Sequence, residues 1–274
     1  MIPAAFDFVR AGSAEEAVSL LGEHGDEAKL IAGGHSLIPL MRFRLAAPSV
    51  LVDIGRLDDL KYVTDRGDHL KIGALTRHRD IEINDDVKSQ AGLLAEATAN
   101  VGDNQVRHRG TIGGAIAHGD PASDIPSALL ALRATVVATG PDGEREIPID
   151  DFFTGFLETA LGETELLTEI RVPKVPDATW SFQKFNRRAQ DWAIVGASVL
   201  VNGDQAGVGL VNMDSVPLRA SAVEAAIASG ADAATAADAA AEGSSPPADL
   251  NASVEYRQHL ARVLVRRGLE AAGR

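Results

Sequence analysis

Two stretches of the chain join adjacent glycines to a residue with a hydroxyl: Ala32-Gly33-Gly34-His35-Ser36-Leu37 and Thr111-Ile112-Gly113-Gly114. Paired glycines remove two Cβ atoms, so the backbone can turn sharply and approach a ligand closely. Successive N–H groups in such a turn can converge on one anion, a pyrophosphate for example. Neither stretch is Gly-x-Gly-x-x-Gly and neither holds Gly-Lys-Ser/Thr, so nicotinamide-Rossmann and NTP-binding readings lose support. Two loops bearing Ser36 and Thr111 suit a diphosphate gripped from both sides. Two unrelated tight turns account for the same spacing equally well.

Other polar residues cluster around the second pair. Arg107-His108-Arg109 directly precedes it and could raise the local potential for an anion, with Arg109 read as a solvated loop residue. Asp120 and Asp124 could accept from ribityl or ribose hydroxyls, although Asp124 also fits a helix N-cap. His35 is assigned no proton transfer. Trp192 follows Asp191 in a chain with only two tryptophans, and an indole can cover a flat heteroaromatic ring. A core position explains Trp192 as well, and Lys184 stays open between edge charge and ligand contact.

Composition limits the chemistry. The 274 residues suffice for one large domain or two modest ones, and the formal charge of −13 disfavours nucleic acid or an anionic membrane as partner. With no cysteine, disulfides, thiolate metal sites and Cys-ligated iron–sulfur clusters are excluded. The seven histidines lack ligand spacing, so any redox role rests on an organic cofactor. No stretch reaches the length of a membrane span and no signal pattern opens the chain, so a cytoplasmic protein is expected.

The elements that would position these residues follow from pattern. Ser13-Ala14-Glu15-Glu16 reads as a capping box before a helix ended by Gly22 or Gly25. Strands are expected at Lys29–Ile31, Val50–Ile54 and Leu70–Ala74, and Thr76 is read as the cap of a short helix. Gln90–Val101 reads as one helix, Ala115–Asp124 as a polar loop, and Asp124 as N-cap of a helix through Leu132. Gly140-Pro141-Asp142-Gly143 predicts a hairpin, and Leu166–Val172 a strand broken by Pro173 and Pro176, the preferred domain boundary. Beyond it come strands at Ser181–Asn186, Ala193–Val201 and Ala206–Val211, the last two joined by Asn202-Gly203. An Ala-rich helical region and a final helix, Tyr256–Ala272, complete the chain.

In this order, Ala32-Gly33-Gly34-His35-Ser36, Gln105-Val106-Arg107, Thr111-Ile112-Gly113-Gly114, Gly119-Asp120-Pro121 and Asp191-Trp192-Ala193 resemble the FAD-binding medium subunit of the molybdenum hydroxylases, the xanthine dehydrogenase and aerobic carbon-monoxide dehydrogenase family. The carbon-monoxide dehydrogenase branch is the most similar. Ile2-Pro3, Phe6-Asp7-Phe8, Ser36-Leu37-Ile38-Pro39 and Glu255-Tyr256-Arg257 extend the similarity nearly end to end. The resemblance implies an α+β fold. Residues 1–175 would form an FAD-binding domain of the PCMH or vanillyl-alcohol-oxidase type, with subdomains of about 1–55 and 56–175. Residues 176–274 would form a three-stranded antiparallel sheet with a helical bundle.

Carried over by residue, the resemblance implies that Ala32, Gly33, Gly34, His35, Ser36 and Leu37 hold the FAD diphosphate with Thr111, Gly113 and Gly114, supported by Arg107. Ile112 would lie near the adenine; Asp120 and Asp124 would make polar contacts; Leu167, Lys184, Asp191 and Trp192 would lie near the flavin. Relatives often carry tyrosine or phenylalanine at Trp192, so no role there rests on a phenolic hydroxyl. No side chain is expected to be a catalytic acid or base, and no metal is expected in this chain.

The implied partners are a large subunit with the molybdenum cofactor and a small subunit with [2Fe-2S] clusters, arranged as a dimer of heterotrimers. The implied acceptor is external, such as a quinone, and the complex would be cytoplasmic or peripheral at the inner face of the membrane. The expected reaction of the whole is oxidation of carbon monoxide to carbon dioxide, with no turnover by this chain alone. A related hydroxylase acting on an N-heterocycle or aldehyde, an autonomous flavin oxidoreductase, and a scaffold subunit without flavin remain alternatives.

Overall fold

The computed structural model describes residues 1–274. The chain first builds a small parallel sheet. Strands β1 (Asp7–Arg10), β2 (Ala28–Ile31) and β3 (Val50–Asp53) lie in the order β1-β3-β2. Parallel neighbours need crossovers, and two helices supply them: α1 (Ala14–His24) and α2 (Leu37–Phe43). Ser13 caps α1 through Oγ, which accepts from the Glu16 N–H, while the Glu16 carboxylate accepts from Gly12 N. Ala17, Val18 and Leu21 on α1 pack with Val50, Val52 and Leu75 into one core.

The second unit is a five-stranded antiparallel sheet, β4-β5-β10-β6-β7. It comprises β4 (Val63–Asp65), β5 (His69–Gly73), β6 (Thr135–Gly140), β7 (Gly143–Pro148) and β10 (Leu166–Pro173), with a small two-stranded ribbon of β8 (Phe153–Gly155) and β9 (Glu158–Thr159) inserted before β10. Between β5 and β6 run six helices: α3 (His78–Ile83), α4 (Asp85–Gln90), α5 (Gly92–Ala99), α6 (Asn104–Arg109), α7 (Ile112–His118) and α8 (Asp124–Ala131). The hairpin at Gly140–Gly143 forms as its turn residues predict.

Several local expectations fail, each for a visible reason. The helix expected over Gln90–Val101 breaks at Ala91 because the Gln90 carbonyl accepts from Val175 N (2.7 Å) instead of continuing a helix. Thr76 does not cap α3; its hydroxyl bonds the backbone of Tyr62. Ala115–Asp124 is not all loop, since α7 runs to His118 and ends on Gly119 at φ 66°. Asp124 lies inside the first turn of α8 behind Ser123, its carboxylate engaged by Lys184 rather than by main-chain N–H groups.

The remainder forms an antiparallel sheet of β11 (Thr179–Phe185), β12 (Val195–Asn202), β13 (Gln205–Val211) and a two-residue β14 (Leu218–Arg219), one edge strand more than the three expected. The Asn202-Gly203 turn is present with Gly203 at φ 61°. Helices α9 (Ser221–Ala228), α10 (Ala233–Asp238) and α11 (Val254–Ala271) cover one face. The other face of β13 rests on α8: a Cβ on Gly207 would run into the Ala131 carbonyl, and one on Gly209 into the Ser127 carbonyl. Beside this seam the hydroxyls of Ser127 on α8 and Ser198 on the neighbouring β12 meet at 2.7 Å, both fully buried.

Candidate functional site

A cleft of about 540 Å³ opens where the three sheets' connecting segments converge. One wall is the β2–α2 turn, Ala32 through Leu37; another is the β5–α3 and α6–α7 segments; the mouth is closed by residues 190–192. This volume suits an organic cofactor of moderate size.

In the first wall the backbone itself is the reactive surface. No N–H from Gly33 through Leu37 donates to any acceptor within the chain. Five consecutive main-chain donors without an intramolecular partner form a nest suited to an anion. Gly34 at φ 77° makes the turn that a side chain would resist. Gly33 is required for a different reason: a Cβ there would strike the Arg109 carbonyl and stand 3.0 Å from Gly110 Cα. The β2–α2 turn therefore packs on the end of α6, just ahead of the second glycine pair. The Ser36 hydroxyl also has no partner within the chain and does not cap α2.

The second glycine pair behaves otherwise. Gly113 and Gly114 lie in the first turn of α7, where orphan N–H groups are expected. All are satisfied internally: Ile112 N donates to Thr76 O (3.1 Å), Gly113 N to Ala74 O (2.8 Å) and Gly114 N to the Thr111 hydroxyl (3.2 Å). Thr111, Gly113 and Gly114 line the cleft, but as packed wall. A Cβ on Gly113 would stand 2.6 Å from Ala74 Cβ.

Two of the expected residues lie off the cleft. Arg107 does not line the cleft; Nε donates to Glu82 (2.9 Å), Nη1 to Val101 O (3.1 Å) and Nη2 to Asn104 (2.6 Å), which makes it a brace for α6. Ile112 is fully buried in the core beneath the five-stranded sheet and does not reach the cleft.

The floor holds a buried ion pair. Lys184 Nζ donates to Asp124 Oδ2 (2.7 Å) and to Asn100 O (3.0 Å), so β11 reaches across to α8. Asp124 Oδ1 is buried without a partner. Burial pushes the Asp124 carboxyl up to about 6, against the downward pull of the Lys184 ammonium. Asp120 lines the same floor while its Oδ1 accepts from Ala122 N (2.8 Å). Leu167 lines the wall beside a bulge in β10 between Leu167 and Glu169, a device that re-aims side chains next to sites.

His78, which the sequence did not single out, also lines the cleft. Its ring packs against Gly110 Cα, Nδ1 is buried without a partner, and burial first, then positive neighbours, lowers its pKa to about 4. A lone histidine after a strand carries no spacing signal, so nothing in the sequence could have found it. Burial and Arg109 likewise hold His35 below the usual histidine value. Arg77 and Arg109 flank the cleft-lining residues His78 and Gly110 without an ion pair to a carboxylate, and both act as positive charges on His35 against Asp103. That field favours a phosphate.

At the mouth, Asp191 accepts from Nε and Nη2 of Arg188 (2.9 and 3.1 Å), and Trp192 is 61% exposed rather than in the core. An anion nest at one end, a partnerless buried carboxylate oxygen in the floor and an exposed indole at the other end fit a dinucleotide with a doubly charged linker and a flat ring system. No group of histidines and carboxylates here could hold a metal ion.

Residues 4–175 match the family model of the FAD binding domain in molybdopterin dehydrogenase, and residues 180–272 that of the CO dehydrogenase flavoprotein C-terminal domain. The chain is 39% identical to the carbon monoxide dehydrogenase medium chain of Hydrogenophaga pseudoflava, over 99% of this chain and 98% of that one. It is 38% identical to the 6-hydroxypseudooxynicotine dehydrogenase complex subunit alpha of Paenarthrobacter nicotinovorans, over 99% and 96%. Among solved structures it is similar to the carbon monoxide dehydrogenase from Hydrogenophaga pseudoflava which lacks the Mo-pyranopterin moiety of the molybdenum cofactor, with TM-score 0.96, 41% identity, and 99% and 98% of the two chains covered.

Proposed function

The chain belongs to the FAD-binding family of the molybdopterin dehydrogenases and is an oxidoreductase subunit; on that premise we propose that it holds FAD in the cleft as the medium subunit of a molybdenum-dependent hydroxylase. The observation that carries the assignment is the run of partnerless N–H groups from Gly33 to Leu37, which supplies donors for a diphosphate. Thr111, Gly113 and Gly114 shape the opposite wall. Asp124 offers Oδ1 to a cofactor hydroxyl while Lys184 holds Oδ2, with Asp120 beside them. Leu167, Asp191 and Trp192 border the ring end. The domain division at 175/176 and the subdomain division near 55/56 belong to the same reading.

FAD, when bound, would supply the electron chemistry between iron–sulfur clusters on a small partner and an external acceptor such as a quinone. This chain's residues bind and orient the cofactor and leave its ring end reachable at the Trp192 mouth. The large partner carries the molybdenum cofactor and the substrate, with carbon monoxide the first choice: CO and H2O give CO2, two protons and two electrons. Near-equal identity to a carbon monoxide dehydrogenase chain and a 6-hydroxypseudooxynicotine dehydrogenase chain keeps an N-heterocycle or aldehyde as the second reading. The complex is a dimer of heterotrimers in the cytoplasm, docked peripherally at the inner membrane face; no helix of this chain is long and apolar enough to cross a membrane.

The test is purification of the assembled complex, with FAD quantified per chain and dye reduction followed with carbon monoxide, an N-heterocycle and an aldehyde as electron donors. One FAD per chain and CO-dependent reduction are expected. A flavin-free complex would overturn the cofactor assignment, and reduction only by the other donors would overturn carbon monoxide.

A further inference from the structure

The cofactor cleft leaves one motif without a role, Glu255-Tyr256-Arg257 at the start of α11. Arg257 is 1% exposed, among the largest fully buried side chains of the molecule. Burying a guanidinium costs free energy unless its donors are used, and a leucine would pack a helix more cheaply. Its Nη1 donates to the Ile194 carbonyl and its Nη2 to Asp249 Oδ2 (2.8 Å). Ile194 follows Trp192 by two residues.

Residues 186–193 form a flap between β11 and β12, pinched at its base where Ile194 N donates to Phe185 O (2.8 Å). Within it the bonds are a turn from Asp191 N to Arg188 O (3.2 Å) and the Arg188–Asp191 pair. A second cavity of about 410 Å³ is lined by both Trp192 and Arg257, and at its edge Arg187 Nη1 donates to Asn251 Oδ1 (3.2 Å). The feet of the flap are held by α11. Tyr256 sets its ring edge-on to Phe185, centroids 6.4 Å apart at 81°, while Arg257 takes the other foot at Ile194. Asn212 Nδ2 adds a tie to Ala193 O (3.0 Å).

We propose that Tyr256 and Arg257 are positioning residues that hold both feet of this flap and thereby seat Trp192 over the cofactor's ring system. The inference rests on the cleft holding FAD as assigned above. Neighbouring residues of one helix thus set the geometry of a side chain that neither touches in sequence.

The experiment compares Arg257→Met, Arg257→Lys, Trp192→Ala and the Arg257→Met/Trp192→Ala double variant in the assembled complex. It reads the rate of FAD release in mild chaotrope and the visible circular dichroism of the flavin. Trp192→Ala should release FAD about three- to tenfold faster, the value of one aromatic stack. Arg257→Met should change release and dichroism in the same direction, with Arg257→Lys between it and the parent. The double variant should release FAD no faster than Trp192→Ala, because both act through one contact. Additive effects, or parental release and dichroism in Arg257→Met, overturn the anchor and leave the cofactor site standing. Unchanged release and dichroism in Trp192→Ala overturn the seating beneath the flap, and the anchor with it. If Arg257→Met does not fold, Tyr256→Ala decides, since that side chain is 44% exposed and its loss spares the core. It should show the same dichroism change, non-additive with Trp192→Ala; parental behaviour or additivity overturns the proposal.

Discussion

The two glycine pairs look alike in sequence and do different physical work. At Gly33-Gly34 the absence of side chains lets the turn press on the Arg109–Gly110 backbone while its N–H groups stay free of partners. At Gly113-Gly114 the absence of side chains lets a helix start against Ala74, and its N–H groups are consumed by Thr76, Ala74 and Thr111. The first pair leaves its amides open to the cleft; the second is a joint packed on the segment after β5. Identical residue types acquire different roles through where their amides point.

The comparison breaks most visibly with Gly33→Val. The branched side chain collides with backbone, which cannot swing aside, so the nest is displaced. FAD content of the complex should fall to near zero, and melting should drop by roughly 5–10 °C. Gly113→Ala should cost about 1–3 kcal/mol of stability through overpacking on Ala74, seen as a lower melting temperature, while the folded fraction keeps its FAD. FAD loss without a change in melting would sink the joint reading of the second pair.

The hydroxyls sharpen the same contrast. Thr111→Val removes a cap and should cost about 1 kcal/mol of stability with little change in FAD affinity. Ser36→Ala removes a hydroxyl with no partner within the chain, so stability should hold while FAD affinity falls by about 1 kcal/mol, some fivefold. Calorimetric melting and FAD titration, run side by side, check the crossover.

The smallest effect concerns the shared floor and wall. His78 titrates near 4 when folded, below its unfolded value, so its contribution to stability is present above about 6.5 and lost as pH falls toward 4. Asp124 titrates near 6, above its unfolded value, so its contribution is present at low pH and lost as pH rises from about 4 toward 6. The two oppose each other across that window. Denaturation of His78→Gln and Asp124→Asn between pH 4 and 6 should give pH slopes shifted in opposite directions from the parent, stability falling more with pH in the first and rising more in the second. Shifts of one sign would contradict the assignment.

Much of the frame was legible. The capping residues at Ser13, the Asn202-Gly203 turn and the Gly140–Gly143 hairpin are local signals, and local chemistry decided them. The first glycine pair was legible as a sharp turn, which Gly34 makes at φ 77°; that its amides stay without partners was not, because both pairs read alike in sequence. Illegible were the features that depend on distant partners. Arg107 looked available for an anion, yet Glu82 neutralises it from another helix. Asp124 had the sequence of a cap, but Lys184 from another sheet takes the carboxylate. Ile112 read as a ligand contact through resemblance, and helix α7 turns it into the core. Trp192 was open between core and cleft, and only the placement of the flap decides it.

The seam between α8 and β13, where glycine backbone lies directly on helix carbonyls, has a consequence for how a cofactor enters or leaves. Contact of main chain on main chain, with a buried serine pair beside it, gives the two halves no lubricating layer of side chains to slide on. They cannot hinge apart like jaws without rupturing that joint. A molecule entering or leaving the cleft therefore does so with this joint intact, past the shorter segments that border it, residues 190–192 among them.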